Sequence, residues 1–305
     1  MKATHTDQIS GTITEFHSLF PGENEVVDFL FGLRWPDGFI CPSCKGISPG
    51  VHPVRNFICP KCGNLSSLTT GTIMHGTKKN LSQWLLAIWW LSANEKGASA
   101  RELQRLLELS SYQTAWTWLQ KLRLAIAFAD RELCKDVVEL GCSEVTPAWE
   151  RHEQALVFTA AEFILPVGVT GRIRMAVVAD CSEKEMMQFL KTAVQENSSL
   201  IAPGFSPYSH LEQSRYSYII DSKTEIPKRI KEINSSFEIW LHKIHRGGVS
   251  LKHLQLYLDE FCFHNNASLM SNRLAIFTAL AQGVLEATPT SYKEIVKTSA
   301  GGKRT

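Results

Sequence analysis

Apolar positions in the first third of the chain recur every three or four residues, the spacing that lines up one face of a helix. Over 11–32 the set Ile13, Phe16, Leu19, Phe20, Val26, Val27, Phe29 and Leu30 follows it, interrupted at Pro21-Gly22, which predicts two short helices. Over 81–91, Trp84, Leu85, Ile88, Trp89 and Leu91 form a second stripe behind Asn80 as candidate cap, and such a stripe fills a core rather than holding a cofactor. Ser99 and Glu102 make a capping box that opens a third helix. A short turn at 109–111 leads into a fourth over 112–128, with Trp116, Leu119, Leu122 and Ile126 expected to face its core. The stretch 66–72 is polar and β-prone.

From residue 137 the helical pattern gives way to another. Strand-like runs occupy 137–140, 155–160, 172–178, 200–201 and 216–220, with a helix over 182–194 after the third run and helices over 226–244, 250–264 and 271–287 at the end. Three meandering strands, a helix, two more strands and terminal helices predict an α/β domain with a mixed sheet, in the order of an RNase H-like domain. The stretch 298–305 reads as a solvated, disordered terminus.

Cys41-Pro42-Ser43-Cys44 and Cys59-Pro60-Lys61-Cys62 are two CxxC knuckles 14 residues apart, the spacing that sets four thiolates around one tetrahedral zinc ion. Residues 51–58 offer a hairpin to bring the knuckles together. A closed four-sulfur site leaves no open position for substrate, so the ion folds a module and does no chemistry. Two disulfides are the competing reading. The start of the chain carries no leader-like segment, which points to a reduced, cytoplasmic setting where thiols persist. Cys134, Cys142, Cys181 and Cys262 lack ligand spacing and are expected as free, partly buried thiols.

With 305 residues, 44% of them hydrophobic and 20% charged, the chain has material for two or three cores, and its apolar runs are far shorter than the roughly 20 residues of a bilayer span. The net charge of +2 hides an asymmetry: residues 33–131 hold 12 Lys/Arg against 5 Asp/Glu. A basic segment around a zinc ribbon suits a polyanion, although a solvated basic face has the same composition. Two helices joined by a tight turn, the second opening on polar residues, read as a helix-turn-helix, a pattern that ordinary helical hairpins share. On that reading Gln113 and Thr114 lie near base edges, and Arg101, Arg105, Lys121 and Arg123 near the phosphate backbone of double-stranded DNA.

Several motifs resemble bacterial insertion-sequence transposases of the ISXO type, relatives of eukaryotic Merlin elements. They are Arg34-Trp35-Pro36-Asp37-Gly38 before the first knuckle, Thr70-Gly71-Thr72-Ile73, Gly76-Thr77-Lys78, Trp84 with Ala87-Ile88, Lys96-Gly97-Ala98-Ser99-Ala100, Leu103-Gln104-Arg105, and Thr114-Ala115-Trp116. The resemblance continues in His245-Arg246-Gly247-Gly248-Val249-Ser250, Lys252-His253-Leu254-Gln255 and Tyr257-Leu258-Asp259-Glu260-Phe261. It implies a transposase fold, a homodimer, and an RNase H-like domain whose acids hold two divalent ions about 4 Å apart for phosphoryl transfer.

At the acid positions this sequence departs from the family. A Val-Glu-Val-Asp-Glu stretch is replaced by Val138-Glu139-Leu140-Gly141-Cys142, which puts Gly141 where the first aspartate belongs. In the stretch 202–208, Pro203 takes the place of the second. Before Trp240, Glu238 is the counterpart of a family lysine, and Lys231 or Asn234 holds the third ligand position; the closing Arg-x-Asn-Arg becomes His264-Asn265-Asn266-Ala267. Glu139, Glu144, Asp180, Asp221 and Glu238 remain as spare acids, although alternation puts Glu139 on the face opposite residue 141's neighbours.

The expected organisation is N-terminal helices and zinc ribbon over 1–75, helix-turn-helix over 76–135, an RNase H-like domain over 136–290 and a flexible tail over 291–305. The reading is a zinc-containing DNA-binding protein with no catalytic residues, domesticated for regulation or genome defence, cytoplasmic and nucleoid-associated. Two others stand beside it: an active transposase with displaced Mg²⁺ ligands, and a scaffold in a protein complex. A decaying copy is the bland account of the lost acids.

Overall fold

A computed structural model describes residues 13–48, 55–94, 97–148, 153–203, 216–221, 226–245, 249–270 and 272–297. They fall into two compact units, Met1–Asp130 with Asn272–Tyr292, and Arg131–Ser271 with Lys293–Thr305.

The first unit opens with a helix over 13–19 (α1) and α2 over Glu23–Arg34, divided at Pro21-Gly22 as the apolar spacing predicts. Two hairpins follow, β1 (Phe39–Ile40) with β2 (Ile47–Ser48), and β3 (Asn56–Ile58) with β4 (Leu65–Ser67). Each knuckle therefore caps its own hairpin, which corrects the expectation of one hairpin between them. Then come α3 (Leu81–Ala93), α4 (Ala100–Leu106) and α5 (Tyr112–Ala129).

The α3 cap differs from expectation. Asn80 makes no side-chain capping bond; the Glu23 carboxylate instead accepts from the Leu81 amide at 2.9 Å, the Ser82 amide at 3.0 Å and the Ser82 hydroxyl at 2.6 Å. Burial opposes the charge on Glu23, but these donors and Arg55 outweigh it and hold the carboxyl below its usual range. The Ser99–Glu102 capping box forms as the sequence reads. In α5 the buried tryptophan is Trp118, stacked on Trp84 at 4.0 Å, while Trp116 is only half-buried.

The helix α9 (Arg273–Glu286), expected with the sheet domain, packs in the first unit. Phe277 stacks on Phe29 at 5.3 Å and meets Trp89 at 5.0 Å. Where α9 crosses α5, a Cβ on Gly283 would lie 2.4 Å from the Ala125 carbonyl oxygen and 2.9 Å from the Ala129 nitrogen. Backbone cannot swing aside as a side chain does, so Gly283→Ala is expected to lower unfolding stability by about 2–3 kcal/mol, measured by denaturant titration.

In the second unit β5 (Val137–Ala148), β6 (Glu153–Ile164), β7 (Val169–Val178), β8 (Ser199–Pro203) and β9 (Ser217–Asp221) form one sheet in the order β7-β6-β5-β8-β9. The first three pair antiparallel; β8 runs parallel to β5 and β9 parallel to β8. Strand alternation makes two apolar faces. Val138, Leu140, Phe158 and Ala160 pack with Met186, Phe189 and Leu190 of α6 (Glu183–Ala193). Val145, Val157, Ala161, Ile173 and Met175 pack with Ile230, Phe237 and Leu241 of α7 (Lys228–Ile244) and with Leu254, Leu258 and Phe261 of α8 (Leu254–Ala267).

Two expectations are revised here. Cys142 and Cys181 form a disulfide with Cα atoms 6.3 Å apart, so they are not free thiols; Cys134 and Cys262 are buried and outside any disulfide. Within the supposed tail, Tyr292–Lys297 forms a helix, α10, whereas 298–305 lie outside the described residues.

Candidate functional site

The four knuckle cysteines converge. Their sulfurs all lie within 4.8 Å of one another, with Cys41 to Cys62 at 3.7 Å and Cys44 to Cys59 at 3.8 Å. A tetrahedron with metal–sulfur bonds of 2.3 Å has edges of about 3.8 Å, so the cluster already has the dimensions of a four-thiolate site. Backbone geometry prepares it: Lys45 and Gly63, each four residues past its knuckle's first cysteine, take left-handed φ of 56° and 72° and donate to the Cys41 and Cys59 carbonyls at 3.0 and 2.9 Å.

Within the quartet Cys41 and Cys62 do not ionise alike. The Cys44 amide chiefly, with that of Ser43, draws the Cys41 thiol down to about 6. For Cys62 the Asn64 amide favours the thiolate, but burial and the three neighbouring sulfurs prevail and push it up to about 12. A bound divalent cation removes that conflict by holding all four as thiolates. Among the described residues this quartet is the one group of three or more His, Cys, Asp or Glu side chains able to hold a metal ion.

Support for the quartet comes from the neighbouring aromatics. Phe39 and Phe57, on the inner faces of the two hairpins, meet at 4.3 Å, and Trp35 closes on both at 5.1 and 5.2 Å. Arg34 donates to the Leu68 carbonyl and, at 2.5 Å, to that of Thr70, while its guanidinium lies 4.6 Å over Trp35; burial lowers it to about 10. The Arg34-Trp35 pair therefore fastens α2 to the second hairpin.

The α4–α5 connection is tight. Gln104 accepts the Leu109 amide on its carbonyl at 3.0 Å and donates its side-chain amide to the Leu109 carbonyl at 3.1 Å. Arg101, Arg105 and Gln113 are exposed and Thr114 is half-buried. Arg123, assigned to phosphates in the sequence, is instead 1% exposed and donates to the Ala98 carbonyl at 2.9 Å; its charge is spent inside the unit. Lys121 donates to the Ile73 carbonyl at 3.1 Å and is likewise turned to a structural task.

In the second unit Gly141, which the resemblance sets at the family's first acid position, lies on the face that α7 covers. Gly141 is buried there, and a Cβ on it would sit 2.8 Å from Cγ2 of both Ile226 and Ile230. Opposite it on β6, Thr159 donates to Asn234 Oδ1 at 2.8 Å, and Asn234 donates to the Ser143 hydroxyl. Asn234 is thus engaged through both its oxygen and its nitrogen in a network of neutral groups. Pro203 ends β8 opposite Asp221. Of the spare acids, Glu139 pairs with Arg229 at 3.2 Å, Glu238 accepts the Thr146 amide at 2.6 Å, Asp180 accepts the Ser182 amide at 2.9 Å, and Glu144 is exposed. Ser182, with Lys184 adding to it, holds the Asp180 carboxyl below its usual range. The side chain of Asp221 lies outside the described residues. The sequence singles out Gly141 but not the two isoleucines and the amide network packed around it.

Residues 143–266 match the family model of the ISXO2-like transposase domain. Over 291 residues, 86% of this chain and 97% of the relative, the chain is 25% identical to a protein of Halobacterium salinarum described as an uncharacterized protein in transposable element ISH50. The stretch 143–266 accordingly resembles an ISXO2-like transposase domain, and the similarity to a protein of a transposable element runs over most of the chain.

Proposed function

We propose that this chain is a zinc-containing DNA-binding protein, descended from a DDE-type insertion-sequence transposase, that neither cuts nor joins DNA. The observation that carries the proposal is Gly141: the strand position of the first acid has no side chain, and Ile226 and Ile230 occupy the space a carboxylate needs. Phosphoryl transfer by two divalent ions requires oxygen ligands from several elements at once, and Gly141, Pro203 and the engaged amide of Asn234 supply none that is available. The mixed sheet order supports an RNase H-like scaffold, and the tight α4–α5 connection supports a helix-turn-helix. Zinc suits four thiolates better than Mg²⁺ or Ca²⁺, which favour oxygen. Among the described residues no helix is long and apolar enough to cross a membrane, which fits a cytoplasmic, nucleoid-associated protein, a homodimer on DNA by analogy with the family.

The expected DNA surface uses the cations that stay exposed, Arg101 and Arg105, with Gln113 and Thr114 toward the bases. Binding of the full chain to duplex DNA is expected to weaken roughly a thousandfold between 50 and 200 mM salt if about six phosphates are neutralised. Arg101→Ala with Arg105→Ala is expected to lower the slope of log affinity against log salt by about 2, whereas Arg123→Ala costs stability and leaves the slope unchanged. A flat salt dependence overturns DNA binding in favour of a protein scaffold. Strand transfer with Mg²⁺ or Mn²⁺ that is lost on Asp180→Ala or Glu238→Ala overturns the loss of chemistry in favour of displaced ligands.

A further inference from the structure

The sheet has two ends, and β7 is one of them: among the described residues no strand pairs with its outer side. An unpaired edge offers a row of amide and carbonyl groups to any extended chain. Here that row is taken by side chains of α8. Asn266 accepts the Ile173 amide on Oδ1 at 2.8 Å and donates Nδ2 to the Ile173 carbonyl at 3.1 Å, so it exchanges both bonds with one residue as an antiparallel strand partner does. Gln255 accepts the Val177 amide at 2.9 Å and donates to the Met175 carbonyl at 3.1 Å, bridging alternate residues as a parallel partner does.

A third bond fixes the orientation of Gln255, whose Nε2 also donates to Asp259 Oδ1 at 3.0 Å. The spans agree as well: Gln255 to Asn266 is about 16 Å along a helix, and Ile173 to Val177 about 13 Å along a strand. Asn266 is 2% exposed, so its two bonds are shielded from water.

We propose that Gln255 and Asn266 form an edge lock: two carboxamides stand in for a sixth strand and keep β7 from pairing with the β7 of a second copy of this chain. Other features of α8, such as Leu258 and Phe261 in the core, explain why the helix lies on the sheet. They do not explain why its two amides are spent on the strand's outer polar groups.

The test uses the full chain with Gln255→Leu and Asn266→Leu together, read by amide hydrogen exchange at Ile173 and Val177 and by light-scattering mass over a concentration series. Exchange at both amides is expected to quicken at least roughly tenfold, as for backbone bonds opened to solvent. A new species of twice the wild-type mass is expected to grow with concentration. Wild-type exchange rates, or faster exchange with wild-type mass throughout, overturns the lock. If the double variant does not fold, Asn266→Asp decides by the same two readouts, because its carboxylate keeps the acceptor for the Ile173 amide but repels the carbonyl.

Discussion

Cys59→Ser is expected to remove the metal and unfold the ribbon. Elemental analysis of the wild-type chain, purified without added metal, is expected to give one zinc per chain, and the variant less than roughly a tenth of that, since a three-thiolate site with a neutral hydroxyl binds orders of magnitude more weakly. The reason the ribbon follows the metal is its size. Its strands are two and three residues long, and its core is essentially Trp35, Phe39 and Phe57. Hairpins that short do not stand alone in water, so the ion supplies the missing free energy. Loss of several kcal/mol in a unit of this size corresponds to about a 10 °C fall in its melting temperature. Cys134→Ser, outside the quartet, is the control and keeps its zinc. Full metal content with unchanged melting in Cys59→Ser would sink the assignment.

Placing an aspartate at residue 141 is expected to damage the protein rather than to confer phosphoryl-transfer chemistry. In Gly141→Asp the new Cβ must push on Ile226 and Ile230, the second of which is 0% exposed, and the carboxylate then lies among apolar side chains. Overpacking costs about 1–3 kcal/mol, and an unpaired buried charge adds enough to bring the total to about 4 kcal/mol or more. Gly141→Ala separates the two, since it carries the steric part alone. The buried carboxyl takes its proton more readily in the folded state, so the penalty shrinks as pH falls. Even with Pro203→Asp added, no nicking or strand transfer is expected in Mg²⁺ or Mn²⁺. Metal-dependent cleavage by that double variant would show that the centre needs only its acids, and that the packing around residue 141 is no obstacle.

What the sequence made legible was local. Two CxxC knuckles, the Ser99–Glu102 box and the strand-like runs of β5 to β7 are patterns complete within a few residues, and all three recur in the structure. What it concealed was long-range. The α3 cap comes from Glu23, 58 residues upstream of Leu81, and the disulfide joins Cys142 to a partner 39 residues away, with no spacing signal in either case. Trp116 and Trp118 are two residues apart, on opposite sides of a helix; periodicity admits one of them to the core and does not say which. Arg123 reads as a surface cation because nothing adjacent to it announces the Ala98 carbonyl. The helical period of 271–287 is plain, but the core that helix would join is not written in it.

That helix makes the first unit discontinuous: its closing piece, Asn272–Tyr292, is separated from the rest by Arg131–Ser271. On a ribosome adding residues one at a time, the ribbon and the α4–α5 pair emerge early, yet the helix that seats Gly283 against Ala125 and Ala129 emerges after roughly 10–30 s more of synthesis. The sheet unit is then already outside. A nascent chain therefore carries an unfinished basic segment while its sheet unit matures, and a message cut short before codon 272 yields a product whose four knuckle cysteines are all present but whose helical core lacks its last wall.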